Sequence, residues 1–175
     1  ATPMSGLPQI LENVLTQAKH PLNILYLCKG LEPLTALLPH QVLQRELAKH
    51  PTHRHAFGVL SGPSFAREVV EGLPCALTVA SHQHEFCALV QRAFHHGNIR
   101  VYASDDLIGV ELGGSVKNVL AIAAGIGDGL GLGLNARAAL LTRGLAEMMR
   151  LVKAVGGKSE TCMGLTGLGD LILTA

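Results

Sequence analysis

Tryptophan is absent from the 175 residues, which hold only two tyrosines and four phenylalanines. A chain so poor in aromatics lacks the stacking platforms that grip single-stranded nucleic acid. Charge offers no substitute: 14 Lys and Arg face 13 Asp and Glu, a formal net charge of +1, so no basic field is available to a phosphate backbone. Nucleic acid is not an expected partner. The four cysteines, Cys28, Cys75, Cys87 and Cys162, form no Cys-x-x-Cys pair. They suit reduced thiols in an intracellular protein better than a disulfide framework, and the cytoplasm is the expected compartment. His53-x-His55, His82-x-His84 and His95-His96 lack the Cys-x-x-Cys or His-Glu-x-x-His spacing of zinc sites, and no metal is expected.

Long apolar runs are missing too. Mean hydropathy is positive at +0.33, yet the apolar run at residues 118–127 is only ten residues, against the ~20 that a spanning helix needs. No cationic segment followed by an apolar one opens the chain, so no signal peptide is visible and no membrane partner is expected.

What is present is apolar material for a core, 48% of residues, in an alternating order. Residues 24–28 (ILYLC), 57–61 (FGVLS), 75–80 (CALTVA) and 99–102 (IRVY) read as short buried strands. Between them, residues 34–50 and 85–95 carry the i, i+3, i+4 stripe of amphipathic helices. This order predicts an α/β fold with a largely parallel sheet. After Asp106 the strand signals stop, and residues 107–126 and 136–155 read as two long helices, the second capped by Asn135 and ended by Gly156-Gly157. Gly125, Gly127, Gly129, Gly131 and Gly133, at every second position, read as a loop between them. Residues 1–105 are thus expected to form one domain, and residues 106–175 the first part of an all-helical second one.

That glycine run is no dinucleotide cradle. Starting G-x-G-x-x-G at Gly125, Gly127 or Gly129 puts Leu130, Leu132 or Leu134 where the third glycine must stand. Four other places carry chemistry. In residues 60–68 (LSGPSFARE), Gly62-Pro63 turns out of a strand and Ser64 can cap a helix opening at Phe65, either as an ordinary turn or as a place where free N–H groups meet a ligand. Lys117 has Gly113, Gly114, Leu120 and Ala121 as its helical neighbours, so no local carboxylate pairs with it and the glycines leave space beside it. It is either a pocket lysine with a lowered pKa or one that snorkels to water. Asn118 beside it offers a donor and an acceptor. Lys29, at a strand end before Gly30, can neutralise a phosphate or an alkoxide, or stand solvated in its loop. Asp170 can orient a lysine or a hydroxyl, or cap a helix starting at Leu171. Arg143, Glu147 and Arg150 read as a solvated i, i+4 ion-pair face.

Taken together, SGPSFAREVVEGLP (residues 61–74), VELGGSVKNVLAIAAGIGDGLGLGLNARAALLTRGLAEM (110–148) and MGLTGLGDLILT (163–174) resemble the bacterial NAD(P)-dependent glycerol-3-phosphate dehydrogenase family. The likeness is strong over residues 60–174 and looser over residues 1–58, chiefly at Ala1-Thr2-Pro3 and Cys28-Lys29-Gly30. It implies part of a Rossmann domain followed by a helical substrate domain, NAD or NADP as cofactor, and reduction of dihydroxyacetone phosphate to sn-glycerol 3-phosphate, the phospholipid head-group precursor. The lysine of the family's G-x-x-K-N segment is its catalytic acid and base, which here is Lys117. By the same match Lys29 contacts substrate and cofactor, Gly62, Ser64, Asn118 and Asp170 the substrate, and Ala66 the cofactor. The resemblance also implies that the glycine fingerprint precedes Ala1 and a phosphate-gripping arginine-asparagine pair follows Ala175, so these residues are expected to be a central segment. Ser115-Val116 before the lysine and Leu134 before Asn135 depart from the family's usual pattern. A silent structural segment that associates through its helices or an open sheet edge, with a homodimer as candidate assembly, and a related dehydrogenase of another small keto or hydroxy acid are the alternatives.

Overall fold

The computed structural model describes residues 2–175; Ala1, one of the loosely matching positions, lies outside the described residues. A short turn, Met4–Gly6, leads into α1, Leu7–Gln17, whose Leu7, Leu11 and Leu15 recur at i, i+4, i+8 and are all buried. Four strands follow: β1 Asn23–Tyr26, β2 Ala56–Ser61, β3 Cys75–Ala80 and β4 Ile99–Ser104. They line up in the order β1-β2-β3-β4. Helices α2, Pro39–Lys49, and α4, His84–Phe94, make the crossovers of the two parallel pairs, β1 with β2 and β3 with β4.

The central pair departs from the expected parallel sheet: β2 and β3 run antiparallel, with Val59 opposite Ala80 and Ser61 opposite Thr78. The cause is the connection. A parallel return must travel back along the sheet, and α3, Ala66–Val70, has five residues. At 1.5 Å per residue it rises about 7 Å, well short of the roughly 20 Å of a six-residue strand. The chain therefore turns back directly into β3.

Strand alternation sorts side chains to two faces. Tyr26, Val59 and Ala80 pack with α1, Val42 and Leu43 of α2, and Leu107 and Val110 on one side. Leu60, Leu77, Val79 and Val101 pack with Phe86, Cys87 and Val90 of α4 on the other. All four cysteines are free and buried, and burial pushes the Cys28 and Cys162 thiols up to about 11.

Helix α2 starts five residues later than its leucine stripe suggests. Leu34 and Ala36 sit at φ 74° and 56°, in the left-handed region, and a turn closes with Ala36 N–H donating to the Glu32 carbonyl at 3.0 Å. Pro39 then occupies the first helical position, where its missing N–H costs nothing, and Gln41 Oε1 accepts from Leu38 N–H at 2.9 Å.

Helix α5, Leu107–Gly129, takes in three of the five glycines of the run that reads as a loop. Gly125, Gly127 and Gly129 are helical, and only Gly131 and Gly133, at φ 68° and 84°, make the turn into α6, Gly133–Ala154. Glycine costs about 1 kcal/mol per helical position relative to alanine. Burial of Ala121 and Ala124 and the seating of Leu120 against Gly144 of α6, where a Cβ would overlap it, outweigh that cost. Asn135 lies inside the first turn of α6 and does not cap it. At 23 residues α5 is long and apolar enough to cross a bilayer, unlike any uninterrupted apolar run in the sequence; 56% of its most apolar stretch is buried inside the fold. Leu112 of α5, Met148 and Val152 of α6, and Cys162 form a third cluster.

Asp106 joins the two halves. It caps α5 by accepting from Gly109 N–H at 2.9 Å, and its second oxygen accepts from Lys158 N–H at 2.9 Å and Thr161 Oγ1 at 2.5 Å. The last segment runs through a turn, Ser159–Met163, and a widened π turn, Leu165–Gly169, into α7, Asp170–Thr174.

Candidate active site

Three elements far apart in sequence meet where β1 ends. The residue after Cys28 is Lys29, α5 presents Lys117, and α7 opens with Asp170. Lys29 Nζ donates to Asp170 Oδ2 at 2.5 Å, and Lys117 Nζ pairs with Asp170 Oδ1 at 2.8 Å. One carboxylate thus holds two ammonium groups, one on each oxygen. Lys117 and Asp170 are buried, at 5% and 3% exposure, whereas the Lys29 side chain keeps 29%. Lys117 is no snorkelling lysine, and Asp170 orients lysines instead of capping a helix at Leu171.

The expected open space beside Lys117 is filled. A Cβ on Gly114 would lie 3.1 Å from Ser61 Oγ, 3.6 Å from Thr166 Oγ1 and 3.7 Å from Lys29 Cγ, so glycine here permits close approach of β2, the π turn and the Lys29 stem to α5. Thr166 Oγ1 donates to Ser61 Oγ at 2.8 Å and lies 2.9 Å from the Val110 carbonyl.

Burial pushes the Lys117 ammonium below its ordinary value. The Asp170 carboxylate opposes that shift, and the Lys29 charge adds to it. Lys117 also donates to Thr174 Oγ1 at 2.7 Å, and Thr174 Oγ1 in turn donates to the Asp170 carbonyl at 2.7 Å. Sequence reasoning missed Thr174. Its signal was there, four residues after Asp170 and so on the same helical face.

The other sequence candidates sit around this cluster unevenly. Gly62 is buried at φ 140°, against the backbone of Ala76 and Leu77, and Pro63 after it lies near Gly169. Ser64 is exposed; its hydroxyl donates to the Gly62 carbonyl at 3.2 Å, and α3 starts at Ala66 with Phe65, not Ser64, at its cap. Ala66 and Asn118 are exposed. Among the described residues no hydrogen bond joins Ser64, Ala66 or Asn118 to the two lysines or Asp170. On α6, Glu147 pairs with Arg150 at i+3, not with Arg143.

A second polar cluster lies one to two turns before Lys117. Glu111, buried, accepts from Tyr26 Oη at 2.6 Å and His40 N–H at 2.7 Å through one oxygen, and its other oxygen is 2.5 Å from His40 Nδ1. No spacing in the sequence signals it, because the partners are 85 and 71 residues away.

The chain that brings Lys29, three residues beyond β1, to Lys117 on α5 is similar to known proteins along most of its length. Residues 1–87 match the model of the NAD-dependent glycerol-3-phosphate dehydrogenase N-terminus, and residues 106–175 that of the C-terminus. The chain belongs to that family. Among its relatives, a glycerol-3-phosphate dehydrogenase [NAD(P)+] of Polynucleobacter asymbioticus is 76% identical over all of this chain and 52% of its own length. The protein of the same name from Cupriavidus taiwanensis is 61% identical, again over 52% of its length. The crystal structure of glycerol-3-phosphate dehydrogenase from Coxiella burnetii superposes with a TM-score of 0.91 at 46% identity, over 98% of this chain and 51% of that one. The Saccharomyces cerevisiae enzyme structure gives 0.84 at 27%, over 99% and 52%. The chain spans about half the length of the relatives it matches.

Proposed function

We propose that this chain carries the catalytic centre of an oxidoreductase that interconverts dihydroxyacetone phosphate and sn-glycerol 3-phosphate with NADH or NADPH, in the cytoplasm, to supply glycerophospholipid synthesis. The observation that carries the reading is the Lys29–Asp170–Lys117 cluster: two ammonium groups on one carboxylate leave a net positive charge at a buried site. Such a site favours an anion, and most of all an oxygen that gains charge during reaction. On this reading residues 1–105 chiefly serve the cofactor and residues 106–175 the substrate.

Space that suits a dinucleotide opens beside Lys29. Gly30, at φ 105°, has no atom within 4 Å of where a Cβ would stand, and the adjacent Lys29 is part-exposed. That opening and the exposed turn up to Ala66 suit the polar nicotinamide end. When bound, the nicotinamide supplies the hydride. Reduction of the substrate carbonyl would place negative charge on its oxygen. Lys117, its pKa lowered by burial, stabilises that charge and then gives the oxygen a proton; the reverse reaction takes the proton back. Asp170 aims both ammonium groups, Lys29 supports the charge, and Gly62, Ser64 and Asn118 line the substrate side.

The substrate class is tested with a chimera in which this chain replaces the matching half of the Polynucleobacter asymbioticus protein. Oxidation of NADH or NADPH with dihydroxyacetone phosphate, and far slower oxidation with unphosphorylated keto acids, supports the reading. Preference for a keto acid sinks it.

A second reading, a homodimerising structural module, draws on the outer stripe of α5, where Val119, Ile122 and Ile126 are 60–65% exposed. Light scattering of the 175-residue chain tests it: a monodisperse monomer rules it out.

A further inference from the structure

The loop that carries Lys29 is held at three points, all on one turn of α5. Tyr26, before the loop, and His40, after it, are bonded to the Glu111 carboxylate. Between them, Gly30 N–H donates to Ser115 Oγ at 2.8 Å, and the Ser115 hydroxyl donates to the Glu111 carbonyl at 2.7 Å. With its donor spent on Glu111, the hydroxyl keeps its lone pairs aimed at Gly30. Gly30 itself has no side chain and open space beside it, and Lys29 hangs from a four-carbon stem with many rotamers; the next anchor along the loop is Glu32, whose N–H donates to the Leu37 carbonyl at 2.9 Å and whose carboxylate accepts from Arg45 at 2.7 Å.

Lys29 is the residue before Gly30, and its ammonium must reach Asp170 from another element. We propose that Ser115 is a positioning residue: its bond to the Gly30 amide sets the Lys29 backbone so that the ammonium rests on Asp170 beside Lys117. This rests on the reading of the three residues as the reacting centre. Ser115 itself touches neither Asp170 nor Lys117 by any hydrogen bond among the described residues, so its effect runs through Lys29. Removing the hydroxyl frees the Gly30 amide and lets the loop move, while Glu111 continues to hold Tyr26 and His40 and thereby the fold.

The test uses the chimera described above, with Ser115 intact, S115A or S115T. Reductive methylation by formaldehyde and cyanoborohydride, read by mass spectrometry, reports how freely each lysine amine is presented. In S115A the Lys29 rate is expected to rise about fivefold, the scale of one net hydrogen bond, while Lys153 and Lys158 keep their rates. The value of kcat/KM for dihydroxyacetone phosphate falls by a similar factor, mostly in kcat, and S115T, which keeps the hydroxyl, restores both. Unchanged Lys29 labelling in S115A overturns the proposal. So do faster labelling of every lysine, faster Lys29 labelling at unchanged kcat/KM, and a threonine variant that behaves like the alanine one. A chimera with Ser115 intact that does not turn over dihydroxyacetone phosphate refutes the functional reading, and the labelling still decides whether Ser115 holds Lys29.

Discussion

Lys117 Nζ lies 2.8 Å from Asp170 Oδ1, and the other oxygen of that carboxylate already holds Lys29. The buried lysine therefore shares its counter-ion. Its proton is held less tightly than in a private pair, because burial and the Lys29 charge both favour the neutral amine.

The first consequence is a pH profile. On the proposed reading, reduction of the ketone needs protonated Lys117, so its rate is expected to fall as pH rises through the lowered Lys117 pKa, while oxidation of the alcohol is expected to rise over the same range. Asp170 opposes the lowering, so Asp170→Asn is expected to move this alkaline limb to lower pH, as loss of a close opposite charge does. Lys29→Met removes a like charge and moves the limb up. Initial rates from pH 6 to 10.5 in the chimera check the signs; shifts in the opposite senses contradict the coupling.

Thr174 gives a second prediction. Its hydroxyl accepts from Lys117 at 2.7 Å, and Val has nearly the same shape without the acceptor. Thr174→Val is expected to lower kcat about tenfold with KM little changed, because an orienting bond and not a substrate contact is lost. Steady-state kinetics decide it; a rise in KM at constant kcat assigns Thr174 to substrate binding instead.

Stability rests on a different carboxylate. Asp106→Ala removes the cap of α5 and leaves Lys158 N–H and Thr161 Oγ1 without their acceptor. The expected loss is about 3 kcal/mol, one cap plus part-buried donors. Urea denaturation of the chimera measures it, and a change below about 1 kcal/mol means that water or a neighbouring group replaces the carboxylate.

Much of this was legible beforehand because it is local. Residues 75–80 were bounded correctly as a strand, and the four-strand, helix-flanked order followed from periodicity. The antiparallel middle pair was not, since direction depends on whether a connection can span the sheet, which hydrophobic pattern alone does not encode. The glycine run misled for a related reason: intrinsic cost argued for a loop, and packing of α5 on α6 outweighed it. At the site, Lys29, Lys117 and Asp170 were each visible as isolated charges between apolar or glycine segments. Their meeting was not, because 141 residues separate Lys29 from Asp170 and 57 separate Lys117 from Thr174. Glu111 stayed hidden entirely: within α5 it reads as an ordinary helical acid, and only the fold reveals that it faces inward onto Tyr26 and His40.

The central claim is that Lys117 delivers the proton. The measurement that meets it most directly is the turnover of dihydroxyacetone phosphate by the chimera carrying Lys117→Met, with circular dichroism and urea midpoint recorded alongside. The account predicts a folded protein whose kcat falls at least about a hundredfold, the scale of a lost general acid. A folded variant with turnover within a few fold of the parent would contradict it.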